Sequence, residues 1–200
     1  MDIKARIMEI YGDAVPYQNW LRPPLNELPA QVHSTQEKLD IVGPYCAGGS
    51  VLDYGCANGA LLLELGATIE LGIGFDIDSK AVEAATVAAL YYDASLNFTT
   101  DTLELWGTDV TLFLSVWKHI RYHHGTDYAN DRLRTLADYC DVLLFDAGIS
   151  GAPTDLGATL KPNDVPDLVR AHTDFTSIML AGAYTDNLRI RREIWVCQRW

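Results

Sequence analysis

One short segment of the chain combines an acid with two glycines. Residues 51–59 read VLDYGCANG, in which an apolar run leads to Asp53, and Gly55 and Gly59 follow. Glycine lets a ligand approach the backbone because it has no side chain, and the N-terminus of a following helix offers free N–H groups to a carboxylate or phosphate. The segment therefore predicts a strand, a ligand-binding turn and a helix in succession.

A second acid ends the next apolar run, 23 residues beyond Asp53. This acid is Asp76, and Ile77 follows it. An acid at about this distance accepts hydrogen bonds from both ribose hydroxyls of a nucleoside, and Ile77 would then lie against the adenine ring. Asp78 or Ser79 is expected to cap the following helix. A dinucleotide site is disfavoured, because the pattern GxGxxG requires a third glycine where the chain has Ala60.

With these motifs, residues 50–146 resemble the core of a class I S-adenosylmethionine-dependent methyltransferase. The resemblance implies an α/β fold, a Rossmann-like seven-stranded, mostly parallel sheet with helices on both faces and an antiparallel last strand at residues 191–199. It implies S-adenosylmethionine as the cofactor and Asp101, after the third strand, as the acid that meets the adenine amino group. It implies that the cofactor contacts Asp53, Gly55, Cys56, Ala57, Gly59, Asp76, Ile77, Asp101, Thr102 and Ser115. Ala57 stands where many members of the family have glycine.

The residues after the fourth strand limit the acceptor. Residues 115–118 read SVWK, which differs from the Asn-Pro-Pro-Tyr type of sequence in enzymes of this family that methylate amino groups of DNA or glutamine. No Pro-Cys pair follows that strand either, which disfavours the covalent cysteine route of cytosine C5 enzymes. We expect direct displacement of the methyl group to an oxygen, nitrogen or carbon of a small molecule, a glycan or RNA.

Several further side chains are candidates for the acceptor region. His119 is the first candidate for a catalytic base, and its alternative role is packing against the sheet. His119 and His123 are four residues apart, but no acid at a matching offset completes a metal site. Asp146 follows the fifth strand and either faces the pocket or caps a loop. Lys38 either reaches the carboxylate of the cofactor or lies on a solvated helix face, and we expect the solvated face.

Aromatic residues of the lead-in and of the fourth-strand region have two interpretations. Tyr17, Trp20 and Trp117 either form walls of an acceptor cavity or pack beneath a proline-rich segment. Packing is the expectation, because apolar side chains near prolines usually fix such a segment to the core.

The elements that position these residues follow from the apolar pattern. Short apolar runs alternate with helical periodicity from residue 50 onward, which favours a parallel sheet flanked by helices. Strands are predicted at residues 50–54, 71–75, 96–99, 110–116, 142–145, 176–181 and 192–198, and helices at 57–65, 79–92, 131–139 and from 163 or 164 to 171.

A lead-in precedes the sheet. One helix ends at Gly12, and a second begins with a capping box at Ser34 and Glu37 and stops at Pro44. Residues 13–32 between them and residues 147–163 further on are predicted loops. We expect a single domain, residues 1–200, in which residues 1–47 are a helical and proline-rich lead-in over the cofactor and residues 48–200 are the catalytic core. Residues 147–165 would lie over the acceptor.

Charge, cysteine content and the length of apolar runs exclude several classes of protein. The net charge of −12, from 15 Lys and Arg against 27 Asp and Glu, opposes general coating of nucleic acid. The four cysteines show no CxxC spacing, which predicts reduced, buried thiols. The first residues do not resemble a signal peptide and no apolar run reaches about 18 residues, so we expect a cytoplasmic protein without a membrane partner. The oligomeric state is left open.

Two other classes of function share parts of this pattern. An aminopropyl transferase or a nicotinamide oxidoreductase would use a similar sheet, but the fourth strand lacks paired acids for a polyamine and the turn lacks the third glycine. A non-catalytic binding module on the methyltransferase fold is the other alternative. Its mark would be a disrupted cofactor motif, whereas residues 51–59 and Asp76 are intact.

Overall fold

The computed structural model describes residues 2–101, 107–148, 164–186 and 189–199. The chain forms two compact units, residues 1–104 and residues 105–200. Within the described residues, none of the helices combines the length and the apolar character needed to cross a membrane.

Besides the short 3-10 helix Leu25–Glu27, the described residues of the first unit form four α-helices and three strands. In chain order they are α1 (Ile3–Tyr11), α2 (Thr35–Cys46), β1 (Ser50–Tyr54), α3 (Ala60–Leu65), β2 (Leu71–Phe75), α4 (Ser79–Tyr91) and β3 (Leu96–Thr99). The three strands are parallel, in the order β3-β2-β1. Their bounds equal the predicted ones, because each apolar run is closed on both sides by polar or turn residues.

Helix α1 attaches the lead-in to the core of this unit. The carboxylate of Asp2 caps the helix by accepting from the N–H groups of Lys4 and Ala5, and Gly12 ends it with a positive φ of 63°, as predicted. The apolar face of α1 is buried against small and apolar side chains of α3 and α4. The buried cluster contains Ile3, Ile7, Ile10, Tyr11, Trp20, Leu25, Ala60, Leu63, Ala84 and Ala88.

Helix α2 corrects two predictions. The Ser34 side chain makes no capping hydrogen bond, so the predicted capping box with Glu37 is wrong. Asn19 from the lead-in takes that place, because its Oδ1 accepts from the N–H of Thr35 at 3.4 Å and from the Thr35 hydroxyl at 2.9 Å. The helix also continues past Pro44 to Cys46, which is possible because Pro44 is on the exposed side, where water solvates the freed carbonyl.

The glycine of β2 nearest the site accommodates the core rather than a ligand. A Cβ on Gly74 would lie 2.4 Å from Cδ1 of Phe98 and 2.9 Å from Sγ of Cys56. The ring of Phe98 on the neighbouring strand therefore occupies the space that a side chain at position 74 would need.

The second unit contains β4 (Thr108–Leu114), α5 (Trp117–His124), α6 (Thr126–Asp138), β5 (Cys140–Asp146), α7 (Asp164–His172), β6 (Ser177–Thr185) and β7 (Arg191–Gln198). Strands β4 and β5 are parallel and bring Leu114 opposite Asp146. Strand β7 is antiparallel to both β5 and β6. Residues 149–163, most of the second predicted loop, lie outside the described part of the chain.

Several elements of this unit differ from their predicted bounds. Strand β4 ends two residues earlier than predicted, because Ser115 has a positive φ of 62° and leaves the extended conformation. Helix α5 was not predicted and α6 begins five residues before its predicted start, because residues 117–128 are mainly polar and aromatic and lack an apolar period.

The seven strands have the order β3-β2-β1-β4-β5-β7-β6. The sheet is parallel except at β7 and carries helices, so the predicted α/β class with a Rossmann-like, mostly parallel sheet and an antiparallel last strand is confirmed. All four cysteines are buried and unpaired, as predicted.

Candidate active site

The turn after β1 is fixed to the end of β2. The N–H groups of Gly55 and Cys56 both donate to the carbonyl of Phe75, at 2.7 and 2.9 Å. Gly55, Ala57 and Gly59 all have positive φ, of 89°, 50° and 69°, so three residues of the turn lie outside the helical conformation. For this reason helix α3 begins at Ala60, whereas its predicted start was Ala57.

Asp76 is held by the same turn. Its Oδ2 accepts from the N–H of Ala57 at 2.8 Å and its Oδ1 accepts from the N–H of Asp78 at 2.9 Å. The carboxylate is half-buried, and each oxygen keeps a further lone pair for an outside donor. Asp76 is therefore a rigid double acceptor at the end of β2.

The residues that follow Asp76 include an exposed apolar side chain and the cap of helix α4. Ile77 is 87% exposed, which is unusual for a large apolar side chain and leaves it available to an adenine ring. Asp78 caps α4 by accepting from the N–H groups of Lys80 and Ala81, which confirms the predicted cap. Asp101 lies exposed beyond the end of β3, and Thr102 lies outside the described residues.

Asp53 is buried at the end of β1. Burial raises the pKa of its carboxyl to about 7, the positive charge of Lys38 lowers it, and the negative charge of Asp76 raises it. Its Oδ2 has no hydrogen-bond partner among the described residues. Lys38 is itself only 6% exposed, so the expectation of a solvated helix face was wrong: the lysine belongs to the electrostatic environment of Asp53.

Two buried residues near the turn, Asn58 and Tyr11, were not predicted from the sequence to belong to the site. The Asn58 side chain, wholly buried, accepts from the N–H of Gln18 and donates to the carbonyl of Gln18, each at 2.9 Å. This pair of bonds fastens the lead-in to the turn. Asn58 inside a glycine turn was a visible signal, but its partner is 40 residues away in the sequence.

Tyr11 is a second buried group near these acids. Burial first, and then the charges of Asp78 and Asp76, raise the pKa of its phenol, which therefore stays protonated. The phenol oxygen has no partner within the described residues. Trp20 is buried in the core cluster, as packing predicts, whereas Tyr17 is 44% exposed.

In the second unit, three polar side chains meet at the ends of β4 and β5. Asp146 is 1% exposed, and its Oδ2 accepts from the hydroxyls of Ser115 at 2.5 Å and Tyr184 at 3.0 Å. Its Oδ1 accepts from the N–H of Gly148 at 2.7 Å. Asp146 thus caps the following turn, which was one of its two predicted roles, and it also binds the side chain at the end of β4.

The histidines lie on the surface of α5. His119, His123 and His124 are exposed, so the alternative in which His119 packs against the sheet is wrong, and its role as a base stays a prediction. The ring of His124 lies 5.1 Å from that of Tyr128. Trp117 is buried and donates to Asn130, which is packing and not a cavity wall.

Comparison with known proteins adds relatives in sequence and in fold. No family model matches the chain. The chain is 31% identical over 129 residues to the O-antigen chain terminator bifunctional methyltransferase/kinase WbdD of Escherichia coli, a match that covers 60% of this chain and 18% of WbdD. The chain therefore spans less than a fifth of the length of that curated relative.

Solved structures agree over nearly the whole chain. A 2.2 Å crystal structure of WbdD superposes with a TM-score of 0.78 and 22% identity, covering 96% of this chain and 46% of WbdD. The N-terminal domain of EvdMO1, determined in the presence of SAH and D-fucose, superposes with a TM-score of 0.66 and 14% identity, covering 100% of this chain and 98% of that domain. The chain has the fold of the class I S-adenosylmethionine-dependent methyltransferases, and its resemblance to that family, indicated by residues 51–59 and Asp76, is confirmed.

Proposed function

We propose that the chain is an S-adenosylmethionine-dependent methyltransferase domain that methylates a hydroxyl oxygen of a carbohydrate by direct displacement. The observation that supports the cofactor most is the carboxylate of Asp76, whose two oxygens are each fixed by a backbone N–H and each retain a lone pair. Two adjacent ribose hydroxyls are donors that match this double acceptor.

The other residues of the first unit fit the same cofactor. The exposed side chain of Ile77 supplies an apolar surface for the adenine ring. Buried Asp53, with one oxygen unpartnered among the described residues, supplies a negative charge for a cationic ligand when it is ionised. When bound, S-adenosylmethionine supplies a methyl group on a positively charged sulfur, and the residues of this chain orient that group and the acceptor.

The carbohydrate acceptor is supported by the relatives. WbdD is named for termination of the O-antigen chain, and the EvdMO1 domain was crystallised with D-fucose. The net charge of −12 disfavours RNA, a polyanion. A sugar hydroxyl is a weak nucleophile, so this acceptor also needs a group that takes its proton.

Calorimetry tests the cofactor assignment. We expect S-adenosylmethionine and S-adenosylhomocysteine to bind and NAD not to bind. Binding of NAD without binding of S-adenosylhomocysteine would support a nicotinamide oxidoreductase instead.

Transfer of a labelled methyl group tests the acceptor. The wild-type chain is incubated with methyl-labelled S-adenosylmethionine and, separately, D-fucose, other monosaccharides, a polysaccharide, RNA or a pool of small metabolites. We expect label in one or more of the sugars and none in RNA. Label confined to RNA or to a non-sugar metabolite would contradict the carbohydrate assignment while leaving the cofactor assignment intact, and binding without transfer to any acceptor would support a binding module.

A further inference from the structure

The cluster of Ser115, Asp146 and Tyr184 has a defined direction of hydrogen bonding. Burial, and next the charge of Asp146, raise the pKa of the Tyr184 phenol well above its ordinary value, so Tyr184 keeps its proton and donates it to Asp146. The Ser115 hydroxyl also donates to Oδ2 of Asp146, and the 2.5 Å separation of the two oxygens lies in the range of a charge-assisted bond.

Because the Ser115 hydroxyl donates its proton to Asp146, the oxygen of Ser115 can accept a hydrogen bond from a ligand. Asp146 and Tyr184 are buried, whereas Ser115 is half-buried and stands at the end of β4. Ligands of open α/β sheets bind outside the carboxyl ends of the strands, and Ser115 and Asp146 both lie at such ends. Ser115 is therefore the least buried of the three hydrogen-bonded side chains.

The backbone at Ser115 is strained in a way that glycine would relieve. Its φ is 62°, a value that costs free energy for any residue with a Cβ. Its N–H donates to the carbonyl of Asp146 at 2.8 Å, which holds the residue in this conformation. Strained residues of this kind cluster at active sites, and here the strain places a hydroxyl, which glycine lacks, above Asp146.

We propose that Ser115 and Asp146 form the relay that removes the proton from the acceptor hydroxyl. This inference rests on the proposed function. The O–H bond of the acceptor breaks and its oxygen forms a bond to the methyl carbon, while the carbon–sulfur bond of S-adenosylmethionine breaks and its electron pair stays on sulfur. The acceptor proton passes to the oxygen of Ser115 as the proton of Ser115 passes to Oδ2 of Asp146. The sulfonium and the carboxylate thus lose their opposite charges in one step.

Tyr184 is a positioning residue in this relay. It donates to the same Oδ2 that receives from Ser115, and the oxygens of Tyr184 and Ser115 are 3.4 Å apart. The N–H of Gly148 holds the other oxygen, Oδ1. A Cβ at Gly148 would lie 2.4 Å from Cδ of Lys118, so the stem of that buried lysine packs directly against the turn after Asp146.

The test compares transfer with cofactor binding in matched variants. Ser115→Gly removes the hydroxyl and relieves the strain, so it is expected to fold; Ser115→Ala removes the hydroxyl and keeps the strain. Asp146→Asn removes the proton acceptor, and Asp141→Asn, at an exposed position of the same strand, is its control. Each variant is assayed for S-adenosylhomocysteine affinity by calorimetry and for kcat and KM with the sugar that the wild type methylates.

We expect Ser115→Gly, Ser115→Ala and Asp146→Asn to lower kcat by about 100-fold or more, with KM for the sugar within about threefold of the wild type. Asp146 is not a predicted cofactor contact, so Asp146→Asn should also keep the S-adenosylhomocysteine affinity within about threefold. Tyr184→Phe should lower kcat by about tenfold, and Asp141→Asn should match the wild type. Wild-type kcat in folded Ser115→Gly and Asp146→Asn would overturn the relay while the proposed function stands, as would loss of kcat in His119→Ala alone. If the wild type methylates no sugar, the proposed function and the relay both fail.

Discussion

The backbone N–H of Ala57 donates to Oδ2 of Asp76 at 2.8 Å, so the turn after β1 and the acid after β2 are one structural piece. The resemblance to the methyltransferase family relates these positions only as separate motifs. In the structure the turn orients the acid, and the acid in turn satisfies a backbone donor of the turn. A substitution that moves the backbone at Ala57 is therefore expected to displace the carboxylate of Asp76, and loss of that carboxylate leaves the N–H of Ala57 without its acceptor.

Asp76→Ala should weaken S-adenosylhomocysteine binding by about 1–3 kcal/mol, because the proposed ribose acceptor and the acceptor of two backbone N–H groups are both lost. Isothermal calorimetry measures the change. Asp13→Ala, a change at an exposed aspartate of the same unit, is the control and should bind like the wild type. Equal affinities for the Asp76 variant and the control would remove Asp76 from the binding site.

Ala57→Gly should not destabilise the protein, and we expect a gain of up to about 1 kcal/mol. Alanine at a φ of 50° is strained by about 1–2 kcal/mol, which offsets the greater freedom of glycine in the unfolded chain. Ala5→Gly, at an exposed position in α1, should cost about 1 kcal/mol. Urea denaturation of both variants checks the contrast; equal losses would show that the turn at Ala57 is not strained.

The raised pKa of Asp53 predicts a pH dependence of stability. Between its ordinary value of 3.8 and about 7 the folded protein holds a proton on Asp53 that the unfolded chain releases, so this group stabilises the fold at low pH and its contribution is lost as the pH rises toward about 7. The full loss corresponds to about 4 kcal/mol. Asp53→Asn should remove this slope.

Denaturation of wild type and Asp53→Asn at several pH values between about 4 and about 8 measures the difference. The wild type should lose stability relative to the variant as the pH rises. Parallel curves would mean that Asp53 is ionised throughout and that Lys38 compensates its burial fully. Cofactor binding by Asp53→Asn should be weaker than by the wild type at pH values above about 7.

Asn58→Ala should destabilise the protein by about 2–4 kcal/mol, because the N–H and the carbonyl of Gln18 would both lose a buried partner. Asn26→Ala, at an exposed position of the short turn Leu25–Glu27, should change stability little. The measurement is the free energy of unfolding from urea titration. A loss below about 0.5 kcal/mol for Asn58→Ala would contradict the buried pairing.

Gly74→Ala should cost about 1–3 kcal/mol, because its Cβ would overlap the ring of Phe98. Gly43→Ala is the matched control: a Cβ at this position of α2 would meet no atom within 4 Å, and alanine favours a helix by about 1 kcal/mol. The two changes should therefore move the melting temperature in opposite directions. A gain for both would show that Phe98 can rotate away.

Local pattern predicted the parts of the fold that depend on neighbours in sequence. The bounds of β1, β2 and β3 and the cap at Asp78 follow from short apolar runs and from a side chain that bonds two residues ahead. The position of the start of α2, after Ser34, was also predicted, but its capping side chain was not, because the N–H of Thr35 donates to Asn19 and not to Ser34. Helix α5 was missed since its side chains give no apolar period.

In the site, too, the features set by neighbouring residues were predicted and those set by distant partners were not. Asp76 and the glycine turn are contiguous motifs and were found from spacing alone. The burial of Lys38 beside Asp53 was not, because a lysine in a helix is expected to be solvated unless its distant partner is known. Of the cluster around Asp146, the acid itself was a predicted candidate. Its partner Tyr184 was not predicted, because it lies 38 residues further along the chain.

The bonds between Asn58 and Gln18 make the lead-in and the cofactor turn thermodynamically coupled. If these bonds hold the turn in the form that binds a ligand, then by reciprocity a ligand on the turn must hold the lead-in by the same free energy. The amides of residues 16–20 would then exchange with solvent more slowly when S-adenosylhomocysteine is bound. Slower exchange of these amides in the bound protein would show that the ligand stabilises the lead-in together with the turn.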